Sequence, residues 1–194
     1  MAEAIFKLVY FIELVLISFM RSRSTRKFHR LSIAENHSTV ADTILAFLAG
    51  IGWTLPLIYI FSSVLDYADY FLPAWTGWLG ALIFAGAGLL LWKSHRDLGR
   101  HWIPGLAFRP NHKLITSGIF QHIRHPIYAA QLLWAVAQAL LLHNWIAGFS
   151  YLLILLPQYL LRVEAEEKMM LERFGDEYRD YMEHTGRLIP KFEQ

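Results

Sequence analysis

Residues 127–161 read "IYAAQLLWAVAQALLLHNWIAGFSYLLILLPQYLL", 35 residues without one aspartate, glutamate, lysine or arginine. As a single helix this run would reach over 50 Å at about 1.5 Å per residue, against a hydrocarbon core about 30 Å thick. It is too long for one crossing. His143 and Asn144 interrupt it near the middle, with Trp145 beside them as an interfacial side chain. The run therefore reads as a tight helical hairpin of two short spans, 127–142 and 145–161.

Three further apolar stretches precede it. Residues 4–20, "AIFKLVYFIELVLISFM", form a first candidate interrupted by Lys7 and Glu13; residues 40–65 and 71–92 form two more. The expected fold is an all-α integral membrane protein with five transmembrane helices, the last two a hairpin. The first stretch lacks a basic leader and a small-residue cleavage site, and its positive charges follow it, so it reads as a retained anchor rather than a cleaved signal. Gly77, Gly80, Gly86 and Gly88 in the third span read as points of close helix packing.

Composition agrees with that class. The chain is 55% hydrophobic and 18% charged, apolar for a soluble domain of 194 residues. A net charge of +2 is too small to indicate a nucleic-acid binder, and with no cysteine the chain has neither disulfides nor thiolate sites. Basic residues alternate between connections. The first carries Arg21, Arg23, Arg26, Lys27 and Arg30; the second, around Asp66 and Asp69, has none. The third carries Lys93, Arg96, Arg100, Arg109, Lys113 and Arg124; the hairpin tip has none, and the tail again has six. Positive charge stays on the cytoplasmic side, so the N-terminus is expected outside and the C-terminus in the cytoplasm. The basic run 21–30 accordingly reads as a topology signal and lipid-headgroup contact, not a nucleic-acid patch.

Two polar segments share the expected cytoplasmic side: loop 93–126 and tail 162–194. The hairpin returns the chain to that side, so Arg124–Tyr128 and Arg162–Glu167 should be neighbours at its feet. Pro126 suits the first turn of a helix, which puts His125 near the N-cap and leaves N–H groups open to an anion. On the tail, Arg162, Glu166, Met170 and Phe174 recur every four residues, with Tyr178 and Tyr181 continuing the stripe. Arg162 and Glu166 either pair with each other or each take a ligand; spacing leaves both open. The apolar part of the stripe reads as packing on the bundle or membrane surface. Glu164 and Glu167 point to other faces and read as solvated or headgroup-facing.

Five histidines fall in the loop: His95, His101, His112, His122 and His125. His122 and His125 have a chelating i,i+3 spacing, but Pro126 argues against a helix through both, and no metal is expected. Dinucleotide fingerprints, P-loops and nucleophile elbows are absent, as are the paired broken helices of a transporter.

"HKLITSGIFQHIRHPIY" (112–128), followed after the hairpin by "RVEAEEKMMLERFGDEYRDYMEHTGRLIP" (162–190), resembles the isoprenylcysteine carboxyl methyltransferase family. That family belongs to a wider group of membrane methyltransferases which includes phospholipid N-methyltransferases. The resemblance covers about residues 90–192 and divides the chain at 92 into three N-terminal spans and a methyltransferase region, 93–194. It implies S-adenosylmethionine as methyl donor and a prenylated cysteine, or a similar lipid-borne carboxylate, as acceptor. It implies cofactor contacts at His112, Lys113, Leu114, Ile115, Phe120, His125, Pro126, Ile127, Tyr128 and Glu166. It places Arg162 at the acceptor and the catalytic work on Arg162 and Glu166. Phe120 departs from the tyrosine common in the family, which leaves ring packing there but no hydroxyl. Eukaryotic members carry extra N-terminal spans, so the chain resembles a short prokaryotic member. That implies the cell membrane as its location, or the endoplasmic reticulum for a eukaryotic source. An amine acceptor on a phospholipid is the alternative, and a non-enzymatic lipid-binding protein is a third reading.

Overall fold

A computed structural model describes residues 2–29, 35–36, 40–102, 107–108 and 112–191. Six α-helices make the molecule: α1 (Ala2–His29), α2 (Val40–Phe61), α3 (Ala74–Leu98), α4 (Pro126–Leu142), α5 (Trp145–Phe174) and α6 (Asp176–His184). The only ladder among the described residues is a two-residue antiparallel pairing of Glu35–Asn36 with Ala107–Phe108. The fold is all-helical.

α3, α4 and α5 form the centre, with α2 packed on α5 and α1 on α3 and α4. α1 buries Phe6, Tyr10, Leu14 and Ile17, spaced four, four and three residues, so one stripe faces the bundle. Its other face leaves Leu8, Ile12, Leu16 and Phe19 exposed, and α3 and α5 likewise expose Leu82, Leu89, Leu153 and Leu161. An apolar outer surface of this extent suits lipid rather than water. Among the described residues two helices, α3 and α5, are long and apolar enough to cross a membrane. The apolar parts of α2 and α4, Gly50–Phe61 and Pro126–Leu142, are shorter.

Small residues set the closest approaches. A Cβ on Gly77 would lie 2.4 Å from the Phe6 ring, and one on Gly80 2.9 Å from Leu140 Cβ. Gly86 has nothing within 4 Å and Gly88 meets only Ile17 at ordinary distance. The close-packing expectation therefore holds for the first pair of glycines and not the second. A buried polar chain ties four helices together at the middle. Tyr10 Oη donates to Gln138 Oε1 (2.8 Å), Gln138 Nε2 donates to Ala147 O (2.7 Å), and Ser150 Oγ donates to Gly52 O (3.2 Å).

The hairpin turns where expected. His143 adopts the left-handed conformation (φ 45°), and Asn144 caps α5 by accepting from the N–H groups of Ile146 and Ala147. Asn144 Nδ2 also donates to Leu65 O and Asp69 Oδ1, both at 2.7 Å, and Tyr70 N donates to His143 O. The acidic second loop and the hairpin tip thus share one end of the bundle; loop 112–125 and the tail share the other.

Helix limits differ from the sequence expectation at two places. α1 does not end with its apolar run but continues to His29, through the first basic residues. The side chains of Arg26 and Lys27, with Arg30 and Arg109, lie outside the described residues. α5 does not stop at 161: it runs unbroken to Phe174 despite Pro157. The hairpin's second span and the first part of the tail are one helix.

Candidate active site

Three local structures bring the two polar segments together. In the first, loop 112–125 is fixed to the end of α3. Gly118 sits at φ +67°, and a Cβ there would fall 2.3 Å from the Asp97 carboxylate, so no other residue fits the turn. Asp97 Oδ2 accepts the Ile119 N–H (2.8 Å) and the carboxylate pairs with Lys93 (2.7 Å). Burial raises the Asp97 pKa; the Lys93 and Ile119 hydrogen bonds outweigh it and the net shift is down. The result is a 3₁₀ turn, Gly118–Gln121, that presents Phe120 inward.

In the second, the chain beyond α6 lies parallel to the stretch before α4. Ile123 bridges Gly186, Arg124 N donates to Gly186 O (2.8 Å) and His125 N to Arg187 O (3.0 Å). The Arg124 guanidinium donates to the carbonyls of Met182 and Thr185, and Tyr181 Oη donates to Phe120 O at 2.6 Å. Burial raises the Tyr181 hydroxyl to about 12 and raises Tyr178 further. Both phenols stay neutral.

In the third, Glu167 is a buried hub. It is 4% exposed, and its Oε1 accepts from Arg124 Nε (3.2 Å) and Arg187 Nε (3.1 Å), its Oε2 from Arg187 Nη2 (2.5 Å). His125 Nε2 lies 3.2 Å from Oε1. Burial pushes this carboxyl up, but the hydrogen bonds from His125 and Arg187 and the nearby charges bring it down to about 2. This corrects the expectation that Glu167 is solvated. Leu155, Tyr159, Val163 and Glu167 are all buried on α5, four residues apart, so Glu167 ends an inward stripe. That spacing was the available signal. Glu164 is exposed, as its position suggested.

Glu166, one residue earlier, lines the cavity. Its Oε1 accepts the Tyr128 hydroxyl at 2.7 Å, and its Oε2 is 3.7 Å from His125 Nδ1. Arg162 Nε is 3.7 Å from Glu166 Oε1, an ion pair too long for a good hydrogen bond. The i,i+4 pairing exists, but Tyr128 makes the closer contact. His125 precedes Pro126 at N1 of α4, yet its side chain makes no cap; it reaches across to both glutamates.

These groups surround a cavity of about 560 Å³. The residues that the resemblance implied as cofactor and acceptor contacts all line it: His112–Ile115 and Phe120 from the loop, His125–Tyr128 from the start of α4, Arg162 and Glu166 from α5. Phe174, in the same four-residue repeat as Arg162, does not. Tyr178 and Tyr181 line it too, but not by continuing the α5 stripe. Gly175, at φ +55°, ends α5, and the tyrosines come from α6, a separate helix. Met169 and Met170 add apolar wall rather than packing only on the bundle. Sequence reading gave no site role to Arg21, Gly50 and Trp53, which line the cavity, nor to Asp97 and Arg187, which do not line it but fix its walls, although Arg187 falls within the quoted segment 162–190.

Of the five loop histidines, His101, His112 and His125 line the cavity and His95 and His122 do not. His95 is buried with Nδ1 against Leu91 O (2.8 Å), and His122 lies on the surface beside Gln121. His101 meets His112 edge to face, ring centroids 5.2 Å apart, and accepts from Lys113 N through Nδ1 (3.3 Å). Among the described residues no three histidine or acidic side chains are placed to share a metal ion.

Residues 78–172 match the model of the isoprenylcysteine carboxyl methyltransferase (ICMT) family. It is 32% identical over 80 residues to the protein-S-isoprenylcysteine O-methyltransferase of Schizosaccharomyces pombe, covering 41% of this chain and 34% of that one. It is 34% identical over 79 residues to the Homo sapiens protein of the same name, covering 41% and 28%. A probable protein-S-isoprenylcysteine O-methyltransferase of Oryza sativa subsp. japonica matches over 86 residues at 33%, covering 44% and 45%. The match spans less than half the length of these relatives. The fold is shared with a solved eukaryotic intramembrane Ras methyltransferase, ICMT. The TM-score is 0.55 at 24% identity, over 81% of this chain and 54% of that one.

Proposed function

We propose that this chain belongs to the ICMT family and transfers a methyl group from S-adenosylmethionine to the carboxylate of a lipid-attached, prenylcysteine-like acceptor, giving a methyl ester. The observation that carries the reading is the convergence of Arg162, Glu166 and the loop and α4 residues on one cavity, with the Tyr128 hydroxyl fixed on Glu166 at 2.7 Å.

The cavity fits the donor. Its volume falls within the roughly 300–1,000 Å³ of small-molecule sites. Its lining offers a carboxylate for a cation, and the aromatic faces of Phe120, Tyr178 and Tyr181 for a purine. His112–Ile115, Phe120, His125–Tyr128 and Glu166 would hold the cofactor, which supplies an electrophilic sulfonium methyl. The chain's own groups then have little proton chemistry to perform, because a carboxylate acceptor is already ionised at neutral pH. Tyr128 and His125 hold Glu166 in place. Arg162 can grip the acceptor carboxylate through its planar fork. Alignment of donor and acceptor, and exclusion of water around Glu166, supply the rate enhancement.

The competing reading, methylation of a phospholipid amine, needs a base to take a proton from the acceptor. Glu166 already accepts from Tyr128, and an arginine beside the acceptor opposes a cationic amine. The test is a cofactor titration and an acceptor titration on Arg162→Lys and Glu166→Gln. Arg162→Lys keeps the charge and loses the fork, so turnover should fall by about one to two orders of magnitude with cofactor affinity kept. Glu166→Gln should weaken cofactor binding most. Equal small defects in both titrations, tracking thermal stability, would overturn the assignment.

A further inference from the structure

The amide side chains of the hairpin fall into two groups. Gln138 is bonded to Tyr10, Ala147 and Ser150, and Asn144 to Leu65, Asp69, Ile146 and Ala147. Gln131 on α4 and Gln158 on α5 are different. Both are partly buried, both line the cavity, and among the described residues neither has a hydrogen-bond partner. Both also belong to the run 127–161, which holds no charged residue. A primary amide carries two N–H donors and a carbonyl acceptor, and in a membrane-spanning segment such groups are stable only when paired.

The hairpin brings the two amides close in level. Tyr128 faces Tyr159 and Trp134 faces Tyr151, each with ring centroids 5.2 Å apart, so α4 and α5 run in register. Gln131 lies midway between Tyr128 and Trp134, and Gln158 immediately precedes Tyr159. On α5 the cavity is lined by Tyr151, Gln158, Arg162 and Glu166. At 1.5 Å per residue that face is about 22 Å long, and Gln158 stands about 6 Å below Arg162, toward the middle of the span.

That depth separates the two ligands. The proposed cofactor contacts lie at the other end of the cavity, on loop 112–125, the first turn of α4 and Glu166. A group that meets both glutamines lies on the lipid side of Arg162. For an acceptor with its carboxylate at Arg162, that group is whatever joins the carboxylate to the hydrocarbon. A primary amide is complementary to a secondary amide, N–H to carbonyl and carbonyl to N–H.

We propose that Gln131 and Gln158 are specificity-determining contacts for the acceptor. They hydrogen-bond an amide next to its carboxylate, and they exclude acceptors, such as fatty acids, whose carboxylate is joined directly to hydrocarbon. The exclusion arises because a plain chain would cover both side-chain amides and leave them unpaired. The inference rests on the methyl-transfer reading above and adds what the acceptor must carry besides its carboxylate.

The test uses the full chain in nanodiscs, with Gln131→Leu, Gln158→Leu and the double variant. Leucine is apolar and a good helix former, so both spans keep their helices. Direct binding is measured for N-acetyl-S-farnesylcysteine and for S-farnesyl-3-mercaptopropionate, which keeps the carboxylate, thioether and chain but lacks the amide. S-adenosylhomocysteine binding and methyl transfer to each acceptor are measured alongside. The parent should bind the amide-bearing acceptor at least tenfold more tightly. Each leucine should weaken that acceptor about five- to tenfold and leave the other acceptor and S-adenosylhomocysteine unaffected, and the double variant should lose the preference. A parent without preference, or variants that weaken both acceptors equally, would overturn the proposal. Weakened S-adenosylhomocysteine binding with the preference kept would place the glutamines at the cofactor and overturn it too. The preference kept in binding, with no methyl transfer to either acceptor, would overturn the methyl-transfer reading alone; no binding of either acceptor would overturn both.

Discussion

Arg187 grips Glu167 through both carboxylate oxygens, Nε to Oε1 at 3.1 Å and Nη2 to Oε2 at 2.5 Å, although the two residues are 20 positions apart. This pair, with Arg124 on the other side of the same carboxylate, fastens the end of the chain to the mouth of the cavity. It acts together with the Tyr181 hydroxyl on Phe120 O and the Arg124 guanidinium on the carbonyls of Met182 and Thr185, which hold the same segment against the loop.

Glu167→Ala should therefore release the tail, leaving two guanidiniums without their carboxylate. Breaking a buried pair costs about 3–5 kcal/mol, and the low end applies here because Arg187 is 43% exposed. Hydrogen exchange across 176–191 should rise, while exchange in α3 and α4 stays as in the parent. Arg187→Ala should have a smaller effect of the same kind. Unchanged protection of 176–191 in both variants would remove Glu167 from this role.

The same carboxylate predicts an acid sensitivity. Its pKa is lowered on folding from 4.5 to about 2, so the stability it contributes is fully present above about 4.5 and is lost as pH falls toward 2. The groups facing it are Arg124, Arg187 and His125, and the guanidiniums keep their charge throughout that window. Tail protection should decline between pH 4.5 and 3 in the parent and show no such step in Glu167→Gln.

Gly118 offers a test of the loop. Gly118→Ala strains the backbone at φ +67° and drives Asp97 from the Ile119 N–H. Strain of this kind costs about 1–3 kcal/mol. Because Phe120 follows two residues later, cofactor binding should fall with little change in the melting of the helical bundle. Asp97→Asn should weaken cofactor binding less. Full cofactor affinity in Gly118→Ala would show that the turn does not position the site.

How much of this was legible in the sequence depends on the kind of signal. The hairpin and its turn at His143-Asn144 could be read because a length limit and two polar residues coincide. The cavity lining from 112–128 and 162–166 could be read because local motifs carry it. Glu167 was misplaced because face counting began from Arg162, whereas the buried stripe of α5 runs from Ala147 through Tyr151, Leu155, Tyr159 and Val163 to Glu167. The extension of α5 to Phe174 was hidden by polarity changing inside one helix: hydropathy marks where lipid ends, not where hydrogen bonding does. Arg21, Trp53 and Gly50 had no local signal, since only tertiary packing brings α1 and α2 to the cavity.

Orientation is tested by reporter fusions after residues 38, 69, 110, 144 and 194. With the basic connections in the cytoplasm, these should report in, out, in, out, in. The hydrogen bonds of Asn144 with Leu65 and Asp69 require 69 and 144 to agree. Opposite readings at those two sites would contradict the fold as well as the orientation.

The central claim is that the cavity brings a methyl donor to a lipid-borne carboxylate. Purified protein is incubated with methyl-labelled S-adenosylmethionine and N-acetyl-S-farnesylcysteine, and the lipid extract is treated with mild base. The account predicts label in the extract that base releases as volatile methanol, and none with the corresponding amide. Label that survives base in a phospholipid amine, or no transfer to farnesylcysteine despite bound cofactor, would contradict it.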